Sequence, residues 1–324
     1  MNEGSERSAA RSSVGRAPNE GNIVVGTSSW ADPGFIKEWY PQGMAAKDRL
    51  PWYAERFEAV ELNSSFYAVP ERSTVGRWSE ITPEGFLFDV KLHRLLSRHS
   101  AGLDSLPPDL RERARTTGRG RVELTPELEK ALIAAALDSV EPLRQAGKLS
   151  GFLLQLTPAF SPKRNSLEEL DPLVNSFKGH RLAVELRNRG WVEEERLEQT
   201  LDWFSEREVS YVCVDSPPGD ATTIMPLLDA ATRDDLAYVR IHGRDTEGYL
   251  GGKSVAERFG WVYTDDELGE IATRARGLAE EASEVHVYFN NNRDDDAPTA
   301  ARRFRSLLGQ DPGPPAEDAQ LRLA

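Results

Sequence analysis

Apolar and polar positions alternate with a period of two in eight short runs of this chain, and amphipathic helical spacing fills the stretches between them. The strand-like runs fall at 23–27, 59–63, 86–91, 151–156, 182–187, 210–215, 237–242 and 285–289. Helical periodicity follows at 48–57, 73–81, 126–146, 167–177, 193–207, 221–230, 265–281 and 298–308. Eight strand–helix alternations predict an α/β fold, a single (β/α)8 TIM barrel. The alternative is a doubly wound open sheet. It would need a glycine-rich phosphate turn after the first strand, which Gly26-Thr27-Ser28-Ser29-Trp30 does not supply.

The second strand shows what is unusual here. Val60 and Leu62 alternate with Glu61 and Asn63. Helices on both sides of a parallel sheet cover both of its faces, and a covered carboxylate or carboxamide is costly unless it meets a partner. The anomaly recurs in later strands, where one face is apolar and the other carries polar groups near the C-terminal end. The apolar faces are expected to meet the helices, and the polar faces to converge in the barrel and at its mouth. The predicted ring is Glu61, Asn63, Lys91, His93, Gln155, Glu185, Arg187, Asp215, Arg240, His242 and Asn290. The C-terminal face is where such barrels carry chemistry. A self-satisfied ionic core is the other reading of the same pattern.

Outside the alternation, residues 1–20 read as a disordered arm, 21–309 as the barrel domain and 310–324 as a flexible tail. Residues 97–125 interrupt the rhythm with five arginines between 111 and 121, and are read as a poorly packed insertion, a lid over the mouth or a solvated loop. A net charge of -13 argues against general affinity for nucleic acid or an anionic membrane, while leaving room for a local basic pocket. No run approaches a membrane span, and the N-terminus lacks an apolar signal core, so a cytoplasmic location is the default. The single cysteine, Cys213, excludes an intrachain disulfide framework and reads as packing.

Several of these segments together resemble the YecE-like family, domain of unknown function seventy-two. They are 26–30, 61–67, Gln155-Leu156-Thr157-Pro158, Glu185-Leu186-Arg187 with Trp191, Arg240-Ile241-His242-Gly243 and Tyr288-Phe289-Asn290-Asn291. The resemblance spans 22–308 and implies a TIM barrel, without implying a named reaction. Where the family pattern has a Thr-His pair after the strand-three lysine, this chain has Arg98-His99, which brings His99 forward beside His93 as the site histidine.

Three functions fit the ring. The first is an enzyme acting on a small anionic metabolite, phosphorylated or carboxylated, by acid/base chemistry. Lys91, Arg187 and Arg240 would clamp the anion, Glu61 or Glu185 would be the base and His242 the acid. The second is a metal-dependent phosphodiesterase or nuclease, with Glu61, Glu185, Asp215 and His242 around a divalent ion. Only five histidines and no paired metal motif speak against it, and no cofactor is firmly expected. The third is a non-catalytic binding protein. Trp30, Trp191 and Tyr67 stand near strand ends, where they would wall a pocket or pack under loops. Gly251-Gly252-Lys253-Ser254 ends like a phosphate loop, but Glu247 occupies the first glycine position.

Overall fold

A computed structural model describes residues 22–314, and the arm predicted at 1–20 lies outside the described residues. Eight parallel strands close in sequence order into a barrel. They are β1 (Asn22–Thr27), β2 (Ala59–Leu62), β3 (Leu87–Lys91), β4 (Leu149–Gln155), β5 (Leu182–Glu185), β6 (Ser210–Asp215), β7 (Ala237–Ile241) and β8 (Glu284–Phe289). Outer helices follow seven of them: Ala46–Ala54, Arg72–Ile81, Pro126–Gln145, Asp171–Ser176, Glu194–Glu206, Asp265–Glu281 and Asp296–Leu307. The chain is the TIM barrel that its alternation predicts.

Residues paired across parallel strands share a face, so the register identifies the lining. Gly26 pairs with Tyr288, Glu61 with Asp89, Gln155 with Glu185, Tyr238 with His286, and Arg240 with Tyr288. All of these point inward. Gly26 must lack a side chain, because a Cβ there would stand 2.3 Å from the Ala59 carbonyl oxygen and 2.9 Å from the Tyr288 ring.

Strand six departs from the expectation. Val212 pairs with Tyr238 and Val214 with Arg240, so the valines line the barrel. Tyr211, Cys213 and Asp215 face outward. Tyr211 lies edge-on to Phe204 of the helix Glu194–Glu206, with ring centroids 5.5 Å apart. Period two separates two faces but does not say which is inside. In β6 both faces are largely apolar, and the terminal aspartate suggests the wrong choice.

The helix expected at 221–230 is also absent, and residues 216–236 form an irregular crossover. Pro226 interrupts that stretch without an N–H to donate. Ile224 and Met225 are buried, while the Ala230 N–H donates to Cys213 Sγ at 3.4 Å. Burial pushes that thiol up to about 12.

The N-terminal half of the barrel interior holds an ionic pair of its own. Asp89 Oδ2 accepts from His286 Nδ1 at 2.6 Å and from the Tyr288 hydroxyl at 2.5 Å. Burial alone would lower the imidazole. Asp89, with help from Glu284, outweighs it and holds His286 at about 9. The raised value fixes the sign of the linkage: the pair's stabilisation is fully present below the unfolded imidazole's pKa of about 6.5 and is lost as pH rises through about 9. Its size is on the order of 3 kcal/mol.

The insertion is ordered at both ends. Ala101, Leu106, Leu110 and Val122 are buried, and a Thr116–Val122 bridge closes its tip. This corrects the expectation of poor packing across 97–125: unbroken exposure is limited to 111–121, where only Ala114 is half-covered, and elsewhere exposed and buried residues alternate. The first residues of the expected tail also pack, since Gln310 donates to the Ile23 carbonyl and Arg302 to those of Pro312 and Gly313.

Two measurements check these points. His286→Gln is expected to melt well below the wild type at pH 6.5, with the difference shrinking as pH approaches 10. A gap that does not change with pH would remove the ionic account of the pair. Brief trypsin treatment is expected to cut at Arg113, Arg115, Arg119 or Arg121 before Arg94 or Arg98. First cuts at Arg94 or Arg98 would show that the packing of the insertion's ends is not maintained in solution.

Candidate functional site

The centre of the barrel is occupied by Arg240. Its guanidinium forks onto Glu61, Nε to Oε2 at 3.0 Å and Nη2 to Oε1 at 2.7 Å, and reaches Glu185 Oε2 through Nη1 at 2.5 Å. All three side chains are 0% exposed. Tyr238 donates to Glu61 Oε2 at 2.9 Å, and Gln155 to Glu185 Oε2 at 2.9 Å. Burial alone would raise the Glu185 carboxyl, but Arg240, His242 and Arg187 together hold it well below the usual carboxylate range. Burial opposes charge on Arg240 too, and the two glutamates more than offset that.

This arrangement corrects two of the roles assigned from the sequence. Arg240 spends its donors on protein carboxylates and has no access to solvent, so it does not belong to an anion clamp. Glu61 and Glu185 are its counter-ions, with their oxygens engaged and covered, and are not free bases. His242 Nε2 lies 3.1 Å from Glu185 Oε1, and its Nδ1 lies 3.0 Å from the Asn290 amide nitrogen. The network assigns the neutral tautomer that donates from Nε2 to Glu185 and accepts from Asn290 at Nδ1. Burial, the main influence, lowers the His242 pKa against the pull of Glu185.

Asp215 is separated from this cluster by the sheet itself. It accepts from Arg244 at 2.8 Å, from Arg274 at 3.2 Å and from the Tyr263 hydroxyl at 2.6 Å. It therefore ties β6 to the helix Asp265–Glu281 and to the loop after β7. The metal set of Glu61, Glu185, Asp215 and His242 is not assembled. Among the described residues, no three His, Cys, Asp or Glu side chains are grouped to hold an ion.

Above the Arg240 cluster the lining changes character. Lys91, at the end of β3, lies over the Phe66 ring with Nζ 4.5 Å from the centroid. It is 8% exposed and, among the described residues, makes no ion pair. Burial pulls its ammonium down to about 7; Arg240 and Arg187 push the same way, and Glu61 and Glu185 only partly oppose them. Arg187 follows β5 and donates to the Tyr249 hydroxyl at 2.8 Å. Its other terminal nitrogen stands 3.5 Å from Glu185, and the side chain is 15% exposed. Asn63 donates to the Ser28 carbonyl at 2.7 Å, leaving its Oδ1 buried without a partner. Asn290, which carries His242, also accepts from Asn292 at 3.3 Å.

The histidines after β3 separate cleanly. His93 is anchored through both nitrogens, to the Ser105 carbonyl at 3.1 Å and the Leu95 N–H at 3.3 Å. His99 lies edge-on to Phe66 at 5.1 Å, with Nε2 buried and unpartnered. Burial and then the Lys91 charge lower it to about 4, against a bond to the Gln155 backbone. Its neighbour Arg98 takes a left-handed φ of 63° that holds the turn. Of the aromatics, Trp30 packs edge-on to Trp78 at 5.1 Å and to Phe88 at 6.3 Å, and Trp191 stacks on Phe160 at 5.4 Å. Trp30 packs against the core, and Trp191 also lines a small cleft with Pro162 and Trp203. Tyr67 is 61% exposed at the rim. Phe66 and Tyr249, the two rings that hold the cations, were not singled out from the sequence. Phe66 lay inside the 61–67 stretch, whereas Tyr249 follows β7 in a segment with no strand periodicity to mark it.

Comparison with known proteins places the chain in a family. The chain is 30% identical to the UPF0759 protein YunF of Bacillus subtilis (strain 168) over 291 residues, covering 88% of this chain and 94% of that protein. It is 28% identical to the UPF0759 protein YecE of Escherichia coli (strain K12) over 198 residues, 60% of each chain. Its fold matches crystal structures of two DUF72 family proteins at 25% identity. One is EF0366 from Enterococcus faecalis V583, with a TM-score of 0.74 over 89% of this chain and 96% of that one. The other is TM1631 from Thermotoga maritima MSB8, with a TM-score of 0.72 over 89% of this chain and 100% of that one. The family described as "Protein of unknown function DUF72" matches residues 24–321, and the chain belongs to it.

Proposed function

We propose that this protein is an enzyme acting on a small anionic metabolite, phosphorylated or carboxylated, at the C-terminal mouth of the barrel. The observation that carries the reading is Arg187: a guanidinium at the mouth, steadied by Tyr249 and Glu185, with donors left over for an incoming anion. Arginine suits this task because its planar fork matches phosphate and carboxylate oxygens. Asn63 after β2 and Asn290 after β8 supply neutral polar groups across the mouth from Arg187. The acid/base role moves away from the glutamates, which Arg240 holds, to Lys91, whose amine changes charge near neutral pH. The phosphodiesterase alternative loses its support with the outward turn of Asp215.

The test compares two arginines. Inorganic phosphate, citrate and 3-phosphoglycerate are titrated against the wild type and variants in thermal-shift measurements. At least one anion is expected to raise the wild-type melting temperature, and Arg187→Ala to weaken that binding tenfold or more, since a charge-assisted hydrogen bond is worth about 1.5–3 kcal/mol. Arg187→Lys recovers part of the loss. Arg240→Met is expected to destabilise the ligand-free protein by about 3–5 kcal/mol, because it leaves two buried carboxylates without their cation. If no anion of a wider phosphate and carboxylate panel stabilises the wild type, the reading fails and the mouth is structural.

A further inference from the structure

Two buried lysines differ in what meets the amine. Lys148, near the opposite end of the barrel, donates to the Ser79 and Thr82 carbonyls at 2.6 and 2.7 Å and to Thr82 Oγ1 at 3.1 Å. It is a cation solvated by backbone. Lys91 is nearly as buried, yet among the described residues its amine has no hydrogen bond or ion pair, and it rests on the Phe66 ring. The charged groups around it are Arg240 on β7, Glu61 on β2, Glu185 and Arg187 on and after β5, and Arg94 and His99 on the loop after β3. The two carboxylates are committed to Arg240. An amine in apolar cover beside other cations is favoured in its neutral, nucleophilic form.

We propose that Lys91 is the nucleophile of this site, forming a Schiff base with the aldehyde or ketone of a small carbonyl compound whose phosphate or carboxylate is held by Arg187. The inference rests on the anion-binding reading above and narrows it to carbonyl substrates. The lone pair of neutral Nζ attacks the carbonyl carbon, a C–N bond forms, and the carbonyl π electrons move to oxygen, which takes a proton. The nitrogen gives up its two protons in all, the hydroxyl leaves as water, and a C=N bond remains. Amine and carbonyl thus become imine and water with no oxidant or reductant. The unpartnered Nε2 of His99 is a neutral polar group on the loop after β3, free to hydrogen-bond the bound compound.

The experiment uses the full chain, a matched pair of probes and trapping. Glycolaldehyde phosphate and glycolaldehyde are incubated separately with the protein between pH 6 and 9 in sodium cyanoborohydride, which reduces any imine. Adducts are located by peptide mapping. The expected result is a single early adduct at Lys91, ahead of the seven other lysines of the sequence, with a rate that rises with pH through about 7. The phosphorylated probe is expected to react tenfold or more faster, and Arg187→Ala to erase that preference. Lys91→Met should lose the adduct, with folding checked by its melting curve. Wild-type mapping stands by itself if that variant does not fold.

Labelling of exposed lysines with Lys91 untouched would overturn the nucleophile. If anions still stabilise the wild type through Arg187 in that case, the anion site survives and only the Schiff base is lost. Equal reaction of both probes at Lys91, indifferent to Arg187→Ala, would support the nucleophile and overturn the anionic substrate.

Discussion

The structure depends on the double bridge from Arg240 to Glu61 and Glu185. Barrel centres are ordinarily filled with branched apolar side chains, and here one guanidinium joins β7 to β2 and β5 across the interior. The bridge carries one positive charge against two negative ones. The surplus negative charge needs a cation nearby, and the lining above the bridge supplies Arg187. Desolvation makes such a cluster poor value as stabilisation relative to an apolar core, but very costly to break once formed. It therefore acts mainly as a constraint on which strands lie opposite one another and on what kind of group can sit at the mouth.

The number, order and type of the strands were legible because parallel strands covered on both sides leave a strong period-two signature, and turns separate them clearly. Much of the inward ring was legible for the same reason: Glu61, Lys91, Gln155, Glu185, Arg240, His242 and Asn290 all share the lining. Asp215 was not, because alternation is blind to direction, and only the register against β7 shows that Val212 and Val214 face in. The roles within the ring were also beyond the sequence. Period two shows that two glutamates and an arginine line one interior, but not that the arginine divides its donors between both of them. Phe66 ends a short 3-10 turn after β2 and Tyr249 sits on a short helix after β7, where no repeat distance links a residue to the strand end that it reaches.

A division of labour runs up the axis of the barrel. The lower interior is closed by Asp89, His286 and Tyr288, where Asp89 Oδ1 and His286 Nε2 lack a hydrogen bond, the middle by the Arg240 bridge, and the uppermost level leaves Asn63 Oδ1 and His99 Nε2 unpaired. The two lower layers are stiff, since each bridges several strands. An unpaired level on top of them combines fixed positions with unspent hydrogen-bonding capacity, the combination that preorganised sites require. The neutral rings of His93 and His99 illustrate the difference at one loop: one is tied at both nitrogens and braces the turn, while the other keeps a free edge beside Lys91.

The crossover from β6 to β7 gives the barrel wall an uneven thickness. Seven strands are followed by an outer helix of their own, whereas β6 is followed by an irregular loop whose Thr232 hydroxyl takes the Tyr211 N–H and whose Ala230 N–H rests on Cys213, and it shares the helices Glu194–Glu206 and Asp265–Glu281 with its neighbours. The neighbouring β5–β6 seam pairs only Ala183 with Ser210 and Val184 with Tyr211. Local unfolding follows such thin sectors before it reaches strands that have a helix of their own. The amide protons of β6 should thus exchange with solvent ahead of those of β8, and Cys213, buried and otherwise inert, becomes a built-in clock: its rate of reaction with a thiol reagent counts the openings of this one sector of the wall.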